Sequence, residues 1–200
     1  LIIAVYAITS LRYVRYVGRT MQQIRGDLFE QTCDAIAITT NGFVRSSGSA
    51  VMGRGVAAQA LKRWPGIDAI VGGMLARVGN HVGIIPVSSY ALAGNKKRLA
   101  CHLVMFPTKP AQGTCMNDKS NVVSYKQKEY MPGQSVPGVY CRSTLALIEQ
   151  SAKELCVLAD ATGWQRIVIP KPGCAAGELE WRDVEPALTR IWNDRFFVIS

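Results

Sequence analysis

The distribution of apolar residues in the first half of the chain predicts two strands followed by two helices. Residues 22–27 are strand-like and end at a Gly-Asp turn, and residues 33–41 form a longer apolar strand that ends at an Asn-Gly pair. The alanine-rich segment 56–64 has the composition and spacing of a helix that stops before Pro65. A second helix is predicted over residues 67–80, where a Gly-Asn pair ends it.

The second half of the chain continues this alternation. Residues 81–106 are β-rich around a turn near 93–97, which predicts a hairpin or two neighbouring strands. A helical period follows over residues 143–164, with Ser143 as the N-cap. Its apolar face consists of Leu145, Ile148, Ala152, Leu155 and Leu158. The chain then closes with a buried strand, a glycine-bearing loop, a helix and a last strand, over residues 166–170, 171–180, 181–192 and 195–200.

Strands that alternate with helices are typical of an α/β fold. The pattern predicts a three-layer α/β/α sandwich with a central mixed β-sheet and helices on both faces. In such folds the ligand crevice lies at the carboxyl ends of the strands. The loops that follow the strands are therefore the first place to look for function.

Residues 110–142 interrupt the alternation. They show no helical period and contain three prolines and three glycines, so we expect a long loop or insertion. A loop of this length in a compact domain is uncommon and often acts as a lid or a binding element. A mobile surface insertion without a role is the alternative.

Length and composition favour a single domain over residues 21–200. The chain has 200 residues, 48% of them hydrophobic, and is long enough to bury a sizeable core. Residues 1–20 precede Met21 and are interpreted as an N-terminal extension, either non-native or the end of a fragment. Their apolar run is too short to span a bilayer and their arginines follow it, so neither a membrane span nor a secretory signal is predicted.

The net charge of the chain is +9, from 23 basic and 14 acidic side chains. Without residues 1–20, 20 basic side chains remain against 14 acidic ones, a net +6, so the basic surface belongs to the body of the chain. Such a surface favours polyanionic ligands such as nucleotides or nucleic acid. General solubility is the alternative explanation.

The six cysteines form no C-x-x-C pair and the chain has two histidines, so no zinc-ligand spacing exists and no metal is expected. Cys33, Cys101 and Cys156 lie among apolar neighbours, where free cysteine behaves as a small buried hydrophobe. Cys101 and His102 are adjacent on a strand and point to opposite faces, which argues against a catalytic dyad. Reduced cysteines indicate a cytoplasmic protein.

Two glycine-containing loops each follow a buried strand and precede a helix. We name "GSAVMGRG", residues 48–55, the first glycine loop and "PGCAAGE", residues 172–178, the second glycine loop. Glycines let backbone N–H groups approach an anion closely, and a helix N-terminus attracts negative charge, so both loops suit phosphate. Neither has the Gly-Lys-Ser/Thr of a P-loop or a G-x-G-x-x-G in the expected place, which disfavours ATP and NAD. Ordinary connection is the alternative for either loop alone.

Together with their flanks, the two loops resemble the macro domain family of ADP-ribose-binding modules. The resemblance rests on "GDLFEQTCDAIAITTNG", "GSAVMGRGVAAQA", "FPTK" and "IVIPKPGCAAGELEWRDV". It covers residues 21–200 apart from the insertion. The sequence is most similar to the bacterial and phage branch that includes DNA-directed ADP-ribosyl hydrolases and ADP-ribose 1''-phosphate phosphatases.

The resemblance implies roles for individual residues. Asp27 matches the acid that accepts from the adenine amino group, and Leu28 beside it contacts adenine through its backbone. Asn41 matches the asparagine that holds the distal ribose, with a turn-forming role as the alternative. The loops would wrap the diphosphate and distal ribose through Gly48, Ala50, Val51, Met52, Gly53, Arg54 and Gly55 in the first, and Gly173, Cys174, Ala175, Ala176 and Gly177 in the second. Arg54 would pair with a phosphate or face water.

The resemblance also makes Lys109, in "FPTK", the candidate for chemistry beside Asn41. A lysine at this strand end lies near the anomeric carbon of the distal ribose in the hydrolase branch, where it stabilises an opening sugar or acts as a nucleophile once deprotonated. A solvated lysine at a strand end is the alternative. Some related hydrolases use an aspartate where this chain has Gly177, and related sequences often have histidine or tryptophan where it has residues 110–112.

The implied function is ADP-ribose binding by a monomer that needs no cofactor. The leading hypothesis is a hydrolase that removes ADP-ribose from a modified target through attack at the distal ribose. A non-catalytic ADP-ribose reader and an ADP-ribose 1''-phosphate phosphatase are the alternatives. Nucleic acid is a possible target because tyrosines alternate with basic residues in the insertion, a mixture that suits stacking and phosphate contact. These are Tyr125, Tyr130 and Tyr140 with Lys119, Lys126, Lys128 and Arg142.

Overall fold

The computed structural model describes residues 20–86 and 101–200. The expected N-terminal extension, apart from Thr20, and the expected turn near 93–97 lie outside the described residues. Within the described part, strands and helices alternate as the hydrophobic pattern predicts.

Six strands of the described chain form one mixed sheet, and two short strands form a separate antiparallel pair. The strands are β1 (Gln22–Ile24), β2 (Ala35–Asn41), β3 (Gly83–Ile84), β4 (His102–Lys109), β5 (Gln112–Thr114), β6 (Ser135–Pro137), β7 (Ile167–Pro170) and β8 (Phe196–Ile199). The large sheet has the order β1-β8-β7-β2-β4-β3. Its neighbours pair in parallel except β3, which runs antiparallel to β4. The expected pair of neighbouring strands in residues 81–106 is therefore present.

In residues 20–86 and 101–200, four α-helices cover the two faces of the sheet, which confirms the predicted three-layer α/β/α sandwich. They are α1 (Gly55–Arg63), α2 (Ile67–Val78), α3 (Leu145–Thr162) and α4 (Trp181–Thr189). Along β2, Ile36 and Ile38 face the layer of α1 and α2, whereas Ala35 and Ala37 face the layer of α3 and α4. The period of two in a strand thus gives each helical layer its own hydrophobic core.

The start of α3 differs by one residue from the expectation. Thr144, and not Ser143, is the N-cap, because the Thr144 hydroxyl accepts from the Leu147 N–H at 3.3 Å. The Ser143 N–H instead donates to the Gly177 carbonyl at 3.0 Å. The beginning of α3 is therefore attached to the second glycine loop.

The insertion is ordered and has its own small core, whereas the sequence predicts a long loop. Strands β5 and β6 pair within it, and two 3-10 turns cover Ser124–Lys126 and Gly138–Tyr140. Four buried side chains pack together beneath them: Cys115, Val122, Val136 and Cys141. Strands of three residues are too short to give a clear period, which explains why the pattern does not predict them.

No helix in residues 20–86 and 101–200 combines the length and the apolar character needed to cross a bilayer.

Candidate functional site

The candidate residues lie where the parallel strands end at their carboxyl termini. We name this side of the sheet, across the strand ends, its carboxyl edge, and the opposite side its amino-terminal edge. Asn41 ends β2 and Lys109 ends β4, and the two residues are paired in register after an irregularity between Thr40 and Asn41. Asp27 follows β1 at the same edge, and the second glycine loop follows β7. The fold therefore brings to one end of the sheet four segments that are separated along the sequence.

Asp27 lies at the outer end of this edge and caps a 3-10 turn, Leu28–Glu30. Its Oδ1 accepts from the Phe29 N–H at 2.8 Å, and its Oδ2 lies 3.3 Å from an Arg63 guanidinium nitrogen. The side chain remains 48% exposed. Since each carboxylate oxygen has two acceptor positions, the carboxylate keeps capacity for a further donor. Leu28 is buried in the core with α1 and α2, so only its backbone faces the edge.

Asn41 holds the loop that follows its own strand. Its amide nitrogen donates to the Val51 carbonyl at 2.8 Å, and its amide oxygen accepts from the Phe43 N–H at 3.0 Å. The turn-forming alternative thus describes part of its role. The amide keeps one N–H and one lone pair, which are the groups that a sugar hydroxyl requires.

The first glycine loop is fixed against α2. The Ala50 N–H donates to the Asp68 carbonyl at 2.9 Å, and an Arg45 guanidinium nitrogen donates to the Ala50 carbonyl at 3.0 Å. A Cβ on Gly72 of α2 would lie 2.0 Å from the Gly48 carbonyl oxygen, so the loop rests directly on the helix backbone. Hydrogen bonds and close packing therefore hold the loop in one conformation, unlike a flexible connection.

The exposed end of this loop leads into α1. Gly53, Arg54 and Gly55 are exposed, while Met52 is buried. Arg54 is the N-cap residue of α1 and its side chain makes no capping hydrogen bond. The first N–H groups of an α-helix have no intrahelical acceptor, so this end of α1 presents donors and a positive dipole end to the loop.

The second glycine loop is packed too tightly for a side chain at Gly177. A Cβ there would lie 2.1 Å from Ser143 Oγ and 2.4 Å from the Gly173 carbonyl oxygen. A larger side chain at this position would therefore clash, since the backbone of this loop and Ser143 occupy the space. Cys174 lies beside it, and burial raises the pKa of its thiol to about 11.

Lys109 is a buried amine, with 6% of its surface exposed. Its pKa is lowered to about 8, chiefly by burial and to a smaller extent by Arg54, against the opposing effects of Cys141 and Glu178. Its Nζ donates to the Val139 carbonyl of the insertion at 3.1 Å. The solvated-lysine alternative does not describe this side chain, because water is largely excluded from it.

Residues 124–126, which we name the bridging turn, contact both glycine loops. The Arg54 guanidinium lies over the Tyr125 ring, 3.9 Å from its centroid. Ser124 donates to the Glu178 carboxylate from its N–H at 2.9 Å and from its hydroxyl at 2.8 Å. The insertion therefore joins the two loops across the edge of the sheet.

Most of the tyrosines and basic residues of the insertion are engaged within the protein. Tyr130 and Tyr140 pack against each other at 6.3 Å between centroids. The Lys126 ammonium binds Glu129 at 2.7 Å, and the Lys119 ammonium donates to the Gln127 carbonyl at 3.1 Å. Tyr125 is the exposed tyrosine of the three, at 41%.

A surface cavity of about 340 Å³ lies on the outer side of the second glycine loop. It is lined by the starts of α3 and α4 together with part of the insertion, and of the candidate loops it includes only Glu178. Its lining has three carboxylates, of Glu178, Glu180 and Asp183, against the one guanidinium of Arg142, and this negative balance is unsuited to a diphosphate. We therefore place the candidate site at the carboxyl edge of the sheet and not in this cavity.

Sequence reasoning did not identify three residues that shape the site. Ser124 and Val139 belong to the insertion, which the sequence leaves without structure. Asn80 donates from its amide nitrogen to the Lys109 carbonyl at 2.9 Å and so fixes the end of β4. No local signal marks such a contact, because its partners are 29 residues apart.

The fold is similar to that of solved macrodomain structures. The macrodomain of Mycobacterium tuberculosis DarG superposes with a TM-score of 0.60 at 19% identity, over 91% of this chain and 98% of that chain. The macrodomain of Thermus aquaticus DarG gives a TM-score of 0.55 at 18% identity, over 92% and 99% of the two chains. Thermosipho africanus DarTG in complex with ADP-ribose gives 0.60 at 17% identity, over 90% of this chain and 42% of that chain. No protein-family model and no curated protein matches the sequence.

Proposed function

We propose that this chain, whose fold is that of the macrodomains, binds ADP-ribose at the carboxyl edge of its sheet and removes it from a modified target. The observation that carries the proposal is Lys109, a buried amine paired in register with Asn41. One of the similar structures contains ADP-ribose, which supports the choice of ligand.

Each part of ADP-ribose has a counterpart along the edge. The adenine amino group donates to the free acceptor capacity of Asp27. The diphosphate lies between the two glycine loops, where the N-terminus of α1 supplies donors. The distal ribose lies against Asn41 and Lys109. The net positive charge of residues 21–200 favours this doubly negative ligand.

The chemistry proposed for Lys109 follows from its lowered pKa. About a tenth of the amine is neutral at pH 7 when its pKa is about 8. The neutral nitrogen attacks the anomeric carbon of the distal ribose, an N–C bond forms, and the bond to the target breaks. The target leaves with a proton from solvent, and the new secondary ammonium loses a proton to solvent. Water then releases ADP-ribose from the lysine. The Val139 carbonyl holds the amine in place before the attack.

The bridging turn supports an aromatic or base-bearing target. Tyr125 is exposed beside Arg54, at the place where both glycine loops meet the insertion. An exposed ring flanked by a guanidinium can stack a nucleobase. We therefore propose ADP-ribosylated nucleic acid as the first target class to assay.

The test is turnover of ADP-ribosylated single-stranded DNA and of ADP-ribosylated protein, with release of ADP-ribose as the readout. We expect Lys109→Met to lower kcat by at least about a hundredfold. The exposed Lys153→Met is the matched control and keeps full activity. The rate of the wild type rises with pH and levels off above about 8, because the neutral amine is the reactive form.

Two outcomes would point away from a hydrolase. Binding without turnover on either target identifies an ADP-ribose reader. Release of inorganic phosphate from ADP-ribose 1''-phosphate identifies a phosphatase.

A further inference from the structure

Two cysteines meet at the amino-terminal edge of the sheet, at the opposite edge from the proposed ligand site. Cys33 lies two residues before β2, and Cys101 lies one residue before β4. Ala35 and His102 pair in register, and the His102 N–H donates to the Asp34 carbonyl at 2.8 Å. The paired backbones therefore hold the two cysteines on neighbouring strands.

The separation of the two cysteines is within the distance that a disulfide bond spans. Continuing the register of β2 and β4 by one residue places Cys101 opposite Asp34, so Cys33 is offset from Cys101 by one residue. A strand spacing of about 4.8 Å combined with a rise of about 3.3 Å separates their Cα atoms by about 6 Å, within the roughly 4.4–6.8 Å that disulfides join. Each thiol shifts the pKa of the other, which indicates that the two sulfurs lie close together. Both side chains also pack against the core shared with α1 and α2.

Exposure distinguishes this pair from the two cysteines in the core of the insertion. Cys33 and Cys101 are free and partly exposed, whereas Cys115 and Cys141 are buried at 2% and 3% exposure in the core of the insertion. A small oxidant in solution therefore reaches the first pair more easily than the second.

We propose that Cys33 and Cys101 are a redox modification site, at which a hydroperoxide converts the two thiols into a reversible disulfide. The site is independent of the proposed function, since it lies at the other edge of the sheet. Its disulfide would join β2 to β4 at the ends opposite Asn41 and Lys109.

The two thiols have different roles in the reaction. The hydrogen bond with Cys33 lowers the pKa of Cys101, and the same bond, with burial, raises the pKa of Cys33. Asp34 raises the pKa of both thiols, and Arg166 lowers that of Cys33. Cys101 is therefore the thiol that ionises and attacks first.

The oxidation proceeds in two balanced steps. The Cys101 thiolate attacks one peroxide oxygen, an S–O bond forms, the O–O bond breaks, and the second oxygen leaves with a proton as an alcohol or water. The Cys33 sulfur then loses its proton and attacks the sulfenic sulfur of Cys101, an S–S bond forms, and hydroxide leaves as water. The two sulfurs are oxidised, and the peroxide is reduced. A dithiol reductant reverses the reaction.

The test oxidises the purified, fully reduced chain with a small excess of hydrogen peroxide and counts thiols after denaturation. We expect the count to fall from the six of the sequence by two, and to recover with dithiothreitol. Peptide mapping without reductant, with fragmentation of the linked species, is expected to show Cys33 joined to Cys101. This readout uses the wild-type chain and does not depend on the folding of a variant.

Matched variants separate this pair from the others. Cys33→Ser is expected to form no intramolecular disulfide, whereas Cys156→Ser loses two thiols as the wild type does. Six thiols remaining after oxidation, a link between other cysteines, or sulfinic acid at Cys101 in place of the disulfide would each overturn the proposal. ADP-ribose binding by the reduced chain is measured separately, so failure of either proposal leaves the other intact.

Discussion

Lys109 shows how the burial of a single ionisable residue lowers the stability of a fold. An amine that is 6% exposed loses most of its hydration, and its pKa falls to about 8. In the unfolded chain the pKa of this amine is the ordinary 10.5. The shift of its pKa corresponds to about 3 kcal/mol that opposes folding wherever both states are protonated. Active sites commonly show this exchange of stability for reactivity.

The pH dependence of stability tests this burial independently of any substrate. Below about pH 8 the amine is protonated in both the folded and the unfolded chain, so the full free-energy cost of burying the charged amine opposes folding. Between about 8 and 10.5 the folded state has released the proton and the unfolded state has not, so the Lys109 contribution to stability rises with pH. We expect Lys109→Met to raise the free energy of unfolding by about 2 kcal/mol at pH 7, net of the lost hydrogen bond to Val139.

Urea denaturation at pH 7 and at pH 10.5 provides the measurement. The increase in the free energy of unfolding caused by Lys109→Met should be smaller at pH 10.5, because the amine of the folded wild type is neutral there. Lys153→Met, at an exposed position of α3, should change neither value. An equal gain at both pH values would show that the amine is not buried as described.

At the scale of elements, the candidate site is formed by three rigid segments. The first glycine loop rests on α2, the second is attached to the start of α3, and the bridging turn joins them. Strands and helices hold these segments, so binding of the proposed ligand would require little reorganisation of the loops. Preorganisation of this kind is consistent with a site that recognises one ligand.

Gly177 tests the packing of the second glycine loop. We expect Gly177→Ala to destabilise the chain by about 2 kcal/mol or more, because the added Cβ would meet Ser143 Oγ at 2.1 Å and the Gly173 carbonyl at 2.4 Å. Gly53→Ala is the matched control, since a Cβ at Gly53 meets nothing within 4 Å. Thermal unfolding of both variants measures the difference. Equal midpoints for the two would contradict the close packing described above.

Tyr125 tests the bridging turn. An exposed cation–π contact contributes about 0.5–1 kcal/mol of stabilisation. We therefore expect Tyr125→Ala to speed dissociation of ADP-ribose by about two- to fivefold, as the contact to Arg54 is lost. Tyr125→Phe retains the ring and should dissociate at the wild-type rate. Stopped-flow displacement measures both rates, and a Phe variant as fast as the Ala variant would assign the effect to the hydroxyl instead.

The sequence predicts the layered fold because the features that define strands and helices, namely hydrophobic periodicity and proline or glycine at their ends, lie within short segments. The alternation along β2 assigns Ile36 and Ala37 to opposite faces, and the helices end near their proline and glycine signals. The insertion is different, because its three-residue strands and small core depend on pairing between distant segments. Contacts such as Ser124 with Glu178, which are 54 residues apart, have no local signature.

At the scale of the whole molecule, the parallel strands of the mixed sheet direct the carboxyl ends of β1, β2, β4 and β7 to one edge. The residues that the resemblance assigns to ADP-ribose lie along that edge, from Asp27 at one side to Lys109 at the other. The amino-terminal edge holds the cysteine pair instead. The architecture thus separates the proposed ligand site from the proposed redox site by the length of the strands.

The central claim is that this edge binds ADP-ribose, and calorimetric titration tests it most directly. The wild type is expected to bind ADP-ribose saturably at one site. Asp27→Asn should weaken binding by about tenfold, since a carboxylate that accepts from the adenine amino group is replaced by a neutral amide. Asp160→Asn, at the far end of α3, should bind as the wild type does. Absence of saturable heat at high micromolar ADP-ribose, or equal affinity in the Asp27 variant, would contradict the account.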